Sequence, residues 1–292
     1  MVQYAFKGYE EILQEIPFSF SKHTTIGCGG MANRAFYPKN VTQLLTLLNK
    51  LKEDQIPYSV LGMGSNVLPS DEKQEKVVVS TKGLSATFLT ESGVFAYAGV
   101  TSAALLRFCK MNLLSGVEFL QGIPCSLGGA LFMNAGAGGK YMDGVVKNVL
   151  VYRDSKLCLL PNAECGYAYK SSVFMKNDDV IIAADLSLER ASETEIEDKE
   201  KAYTLRRVHL PKGKSMGCVF KNPSGAFAGD LIERSGLKGL KVGDAYVSTE
   251  HANFIINAGN ATTRDIETLI KMIKNAVYAQ YGVLLEEEIR RI

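Results

Sequence analysis

The chain of 292 residues carries 33 Lys and Arg against 31 Asp and Glu, a formal net charge of +2, with 46% hydrophobic and 22% charged residues. That balance is ordinary for a globular protein and argues against a broad basic surface for nucleic acid. The length allows one large domain or two to three smaller ones. No apolar run is long enough to span a bilayer, and Met1-Val2-Gln3-Tyr4-Ala5-Phe6-Lys7 lacks the basic-then-apolar pattern of a signal peptide, so no membrane association is expected. The six cysteines (28, 109, 125, 158, 165 and 218) form no C-x-x-C pair and the three histidines are dispersed, so no metal site is expected and the thiols should be free in a reducing cytoplasm.

In chain order, Ser21 to Ala32 contains the turn Gly27-Cys28-Gly29-Gly30, and Asn33 to Tyr37 reads as a strand stopped by Pro38. Asn40 is placed to cap a helix carrying Val41, Leu44, Leu45, Leu48 and Leu51, ending near Lys52. Tyr58 to Leu61 is a short apolar strand running into Gly62-Met63-Gly64-Ser65-Asn66. This is not a Rossmann fingerprint, because Val67-Leu68-Pro69 does not open a helix after the glycines. Each of the two glycine turns is either a plain turn or a nest of N–H groups for a phosphate. Strands are expected near Val77–Ser80, Ala86–Leu89 and Val94–Gly99, then a helix from Thr101 to about Asn112.

Ser115 to Gly139 is rich in glycine and poor in charge, which suits close approach to a flat ligand or packing as a loop between helix and sheet. Strands are expected near Val145–Arg153 and Val180–Glu189, with the aromatic turn Cys165 to Phe174 and its Lys170 between them. The charged run 191–208 reads as a linker helix and a domain boundary. Next comes Ser215-Met216-Gly217-Cys218-Val219-Phe220-Lys221-Asn222-Pro223, read as a strand over Cys218–Phe220, entered through a glycine and stopped by Pro223. It sets a thiol, a cation and an amide close together; alternatively Cys218 is a buried, inert cysteine.

Ala228 to Ser235 reads as a helix stopped by Gly236, followed by strands at Ala245–Val247 and Phe254–Ile256. Asn260 or Thr262 can cap a helix carrying Ile266, Leu269, Ile270, Ile273 and Val277, ended by Gly282. In the tail, alternation sets Leu285, Glu287 and Ile289 on one side and Glu286, Glu288 and Arg290 on the other; it is either a strand or a solvated terminus.

Six stretches in this order, namely Thr24 to Gly30, Gly62 to Leu68, Ser115 to Gly139, Tyr169 to Phe174, Gly217 to Pro223 and Leu285 to Arg290, resemble the UDP-N-acetylenolpyruvylglucosamine reductases, flavoenzymes of bacterial peptidoglycan synthesis. The resemblance runs from about Ser21 to Ile292 and is to the shorter form of that family. It implies an α+β protein with the FAD-binding fold of the vanillyl-alcohol-oxidase/PCMH type and a smaller α+β substrate domain. Residues 1–75 and 76–205 would form two FAD-binding subdomains, the second joined by the tail 284–292, and 206–283 the substrate domain. FAD would be held by Gly62, Gly64, Ser65 and Asn66 and by Gly122, Ile123, Pro124, Ser126 and Gly128, with Cys125 where the family often has glycine. NADPH would be the co-substrate and UDP-N-acetylglucosamine enolpyruvate the substrate of a cytoplasmic monomer.

The same resemblance implies the catalytic residues. Cys218 falls where the family usually has a proton-donating serine, and Glu288 falls on its C-terminal catalytic glutamate. Lys170 stands where the family usually has arginine, keeping the charge but losing the two-pronged grip on a carboxylate. Asn222 matches a residue that holds the UDP-sugar, and Arg206 is a candidate for its diphosphate, placed by distance and not by a motif. The competing readings are a flavin-dependent sugar oxidase, which would bring a different substrate domain, and a non-catalytic flavin or nucleotide-sugar binding protein.

Overall fold

The computed structural model describes residues 8–292; the N-terminal heptapeptide read above for a signal pattern lies outside them. The chain forms two compact units. The first contains 8–16, Arg34–Met63 and Lys76–Val208; the second contains Pro17–Asn33, Gly64–Glu75 and His209–Ile292.

The first unit holds two larger sheets beside two short two-stranded ones. One has β1 (Leu13–Glu15), β2 (Ala35–Tyr37), β3 (Tyr58–Leu61) and β4 (Val77–Ser80) in the order β1-β2-β4-β3. The pairs β2–β4 and β3–β4 are parallel, and β4 is buried along its whole length, which its unbroken valines anticipate. Helix α1 (Val41–Glu53) makes the crossover from β2 to β3. Asn40 caps it by accepting from Gln43 N at 2.9 Å, and Leu44, Leu47, Leu48 and Leu51 are buried.

The other sheet is antiparallel: β5 (Thr87–Thr90), β6 (Gly93–Tyr97), β7 (Val146–Arg153), β8 (Lys156–Pro161) and β9 (Val180–Ser187), in the order β8-β7-β9-β6-β5. The edge strand β8 was not expected from sequence. It exposes Leu157 and Leu159 while burying Leu160, so its apolar residues show no clean alternation. Helix α2 (Ser102–Met111) is capped by Thr101, and α3 (Leu127–Met133) by Ser126. Helix α3 lies inside the stretch read as a glycine-rich loop. Leu127, Ala130, Leu131 and Met133 supply a buried face that outweighs two helix-weakening glycines. Helix α4 (Glu193–Leu205) starts with a reciprocal Ser192–Glu195 capping box and buries only Ile196. It is tied to the unit by Lys199 Nζ donating to Ser115 Oγ at 2.7 Å and by a 2.8 Å Lys110–Glu197 ion pair.

The second unit is built on β10 (Lys214–Cys218), β11 (Lys241–Val242), β12 (Ala245–Val247) and β13 (Phe254–Asn257), in the order β10-β13-β12-β11. Helix α5 (Ala228–Arg234) and the long α6 (Thr263–Tyr281) complete it. Of the two proposed caps, Thr262 is the one used, and Gly282 ends α6 at φ +68°. The strand expected at Cys218–Phe220 is displaced: regular pairing covers Lys214–Cys218, with a register shift between Ser215 and Cys218 around Gly217, whose φ is +75°. The tail pairs in parallel with Val67–Leu68 through Arg290–Arg291, and buries Leu285 and Ile289.

Candidate active site

In the first unit, Gly62 follows β3 and sits against the turn that precedes α3. A Cβ on Gly62 would lie 2.3 Å from Ser126 Oγ, so a side chain here would displace that hydroxyl. The turn from Gly122 to Ser126 is pinned from beneath: Ser102 N donates to Cys125 O at 2.9 Å, and Ser102 Oγ donates to Ile123 O. Gly128 N donates to Ala98 O at 2.8 Å, holding the start of α3 against the chain leaving β6. Cys125 turns its side chain into the core, where burial pushes its thiol up to about 11. Arg207 lies against Gly122, its Nε 3.0 Å from where a Cβ would be, whereas Arg206 stacks over Tyr203 and reaches Gly138.

Lys170 occupies the tip of a tight hairpin. Ala168 N donates to Ser171 O at 3.0 Å and Ser171 N to Ala168 O at 3.1 Å. The lysine has φ +53°, a left-handed conformation costing a non-glycine residue roughly 1–2 kcal/mol. The surroundings impose it: buried Asn134 donates from Nδ2 to Ala168 O at 3.1 Å, and Ser172 Oγ donates to Phe132 O at 2.6 Å. A strained, half-buried cation held by two outside bonds is the kind of outlier that points to function.

In the second unit, the turns Thr24–Gly30 and Gly64–Asn66 are joined, with Thr25 N donating to Gly64 O at 3.0 Å and Thr25 Oγ1 to Ser215 O at 2.6 Å. The N–H groups of Thr25, Gly27 and Gly30 are spent inside the unit, which favours a structural turn over a phosphate nest for the first of them. Asn66 grips the tail twice: its Nδ2 donates to Glu288 O at 3.1 Å, and its carbonyl accepts from Arg290 N at 2.9 Å. Ser65 lies between them in sequence and is half-buried.

The tail and residues 219–221 lie side by side. Glu288 N donates to Val219 O and Lys221 N to Glu286 O, at 2.8 and 2.9 Å, around a bridge between Phe220 and Glu287. Val219 and Phe220 are buried, while Cys218 and Glu288 are both half-buried. Beside Cys218, a Cβ on Gly217 would meet nothing within 4 Å, so open space borders the backbone there. Asn222 Oδ1 accepts from Ala228 N at 3.0 Å at the start of α5. Asn253, which the sequence reading passed over, is buried and bonds both the N–H and the C=O of Phe220 through its side chain. An amide inside the apolar run Ala252 to Ile256 was the available signal.

Within the first unit, glycine turns in which a side chain would displace a neighbour suit the close approach of a flat cofactor. Among the described residues, no three His, Cys, Asp or Glu side chains cluster as metal ligands, and no helix is long and apolar enough to cross a membrane.

Comparison with known proteins agrees with this geometry. Residues 209–292 match the family described as the C-terminal domain of UDP-N-acetylenolpyruvoylglucosamine reductase, and residues 32–154 match an FAD binding domain. The UDP-N-acetylenolpyruvoylglucosamine reductase of Clostridioides difficile (strain 630) is 37% identical over 273 residues, covering 92% of this chain and 90% of its own. The crystal structure of the reductase from Thermus caldophilus superposes with a TM-score of 0.82 at 32% identity, over 96% of this chain and 98% of its own. A solvent-stable cholesterol oxidase shares the fold alone, with a TM-score of 0.50 at 18% identity over 63% of this chain and 39% of its own. The fold is therefore the α+β, FAD-binding type expected from the sequence.

Proposed function

This chain belongs to the UDP-N-acetylenolpyruvoylglucosamine reductase family of oxidoreductases, and we propose that it reduces UDP-N-acetylglucosamine enolpyruvate to UDP-N-acetylmuramate with electrons from NADPH. The observation that carries this reading is the hydrogen bonding of the tail to residues 219–221, which brings the backbones of Glu288 and of Val219, the neighbour of Cys218, together in one unit. Bound FAD, held by Gly62, Gly64, Ser65, Asn66, Gly122, Ile123, Pro124, Ser126 and Gly128, supplies the two-electron exchange between NADPH and the sugar.

The protein's own groups supply the rest. As the vinyl group is reduced, negative charge spreads onto the substrate carboxylate, and the Lys170 ammonium offsets it. The Cys218 thiol gives its proton to the carbon beside the ether oxygen. A thiol, with an ordinary pKa of about 8.5, releases a proton more readily than an alcohol. Positioned proton donation is worth about 10²–10⁴ in rate. Glu288 assists at the enol, while Asn222 and Arg206 hold the nucleotide sugar. The substrate and co-substrate are soluble metabolites, and the working form is a cytoplasmic monomer.

Anaerobic titration of the purified, FAD-loaded protein tests the reading. NADPH should bleach the flavin absorbance, and the enolpyruvyl UDP-sugar should restore it. Failure to bleach overturns NADPH dependence, and restoration by oxygen but not by the sugar marks an oxidase instead.

A further inference from the structure

The ordinary ladder between β10 and β13 stops at the bridge between Cys218 and Phe254. Beyond it, the chain on one side is replaced by a single residue. Val219 N donates to the Asn253 carbonyl at 2.8 Å, Phe220 N donates to Asn253 Oδ1 at 2.9 Å, and Asn253 Nδ2 donates to Phe220 O at 2.8 Å. A carboxamide carries one acceptor and one donor group, so it can imitate a strand residue; a carboxylate offers only acceptors and a leucine neither. Asn253 is 3% exposed and Phe220 1%, so neither end of this exchange can fall back on water.

The opposite edge of the same three residues holds the tail, through Val219 O to Glu288 and Lys221 N to Glu286. Residues 219–221 thus lie between two hydrogen-bonding partners, Asn253 on one side and the tail on the other. Cys218 leads into this segment from the irregularity at Gly217.

We infer that Asn253 is a positioning residue for the reduction of the sugar: by fixing both main-chain groups of Phe220 it sets where the Cys218 thiol and the Glu288 carboxylate lie. The inference rests on the roles proposed above for Cys218 and Glu288. Misplacing a reacting group by about 1 Å can cost on the order of 10² in rate.

The test uses the FAD-loaded full chain with Asn253→Asp, which keeps the acceptor and loses the donor, and Asn253→Gln, which keeps both but lengthens the arm. In stopped flow, reoxidation by the enolpyruvyl sugar should fall by about 10² in both variants while reduction by NADPH stays within about twofold. Alkylation by iodoacetamide, mapped by mass spectrometry, gives a second readout. Cys218 should react severalfold faster, the half-buried Cys158 at the wild-type rate, and Cys28, in the core of the same unit, should stay protected. Equal loss in both half-reactions, or exposure of Cys28 in both variants, would make Asn253 merely structural and overturn the inference; so would unchanged alkylation of Cys218. A Cys218→Ala control separates the two failures. Normal reoxidation there removes the role of Cys218 itself, whereas slowed reoxidation there beside normal Asn253 variants removes only the role of Asn253.

Discussion

The turn at Cys125 and the strand end at Cys218 invite comparison, since each places a thiol within a few residues of a glycine that the backbone needs. Cys125 points into the core of the first unit, and desolvation holds its thiol up at about 11. Cys218 is half-buried beside an open backbone edge in the second. Buried Cys28, Cys109 and Cys165 follow Cys125, their thiols all pushed up by burial, Cys109 to about 12 and Cys165 to about 11. Surroundings, and not the residue type, separate a packing cysteine from a reachable one.

The widest contrast to expect is between alanine replacements at these two thiols. Cys218→Ala should slow sugar-dependent reoxidation by about 10²–10⁴ and leave reduction by NADPH near normal. Cys125→Ala should leave both rates within about twofold and cost about 1 kcal/mol of stability from the vacated core volume, read as a lower Tm. Equal kinetic effects would erase the distinction.

A smaller effect sharpens the same contrast from the first unit, whose site is made of backbone. Gly62→Ala puts a methyl into Ser126 Oγ and forces that hydroxyl off its capping position at α3. Loss of the cap should cost about 1 kcal/mol. The distorted turn should weaken FAD by up to about tenfold, measured by flavin fluorescence on titration. Unchanged FAD affinity would mean that the turn is not part of the cradle.

The smallest expected effect concerns pH in the second unit. His251 Nδ1 accepts from Asn253 N at 3.2 Å, and burial, its largest influence, holds the imidazole below its ordinary value. Lys238 lowers it further, while Asp230 and Glu233 act in the opposite sense. The unfolded chain therefore takes up a proton near pH 6.5 before the folded one does. Stability from this group is complete above that pH and declines as pH falls toward the lower folded value. Tm should drop between pH 7.5 and 5, and His251→Gln should flatten part of that slope.

What the sequence disclosed is what local chemistry encodes. Asn40 and Thr262 sit at helix starts, and Gly282 stops α6, because caps act within one turn of the chain. Helix α3 escaped notice because Gly128 and Gly129 argue against helix until Leu127, Ala130 and Leu131 find a core to face. The strand at Cys218 was misplaced because the shift at Gly217 moves the pairing upstream, and only the partner strand reveals that. In the site, glycine turns stand out by composition. The registers that join Val219 to Glu288 and Phe220 to Asn253 depend on partners remote in the chain, which no periodicity records.

One further consequence follows from the double grip of Asn66 on the tail. Its amide and carbonyl hold Glu288 and Arg290, so ordering the turn at 64–66 and ordering the C-terminal strand are linked equilibria. Such linkage is reciprocal: whatever steadies the turn steadies the carboxylate-bearing segment by the same free energy, and loosening the tail must in return weaken any ligand the turn holds.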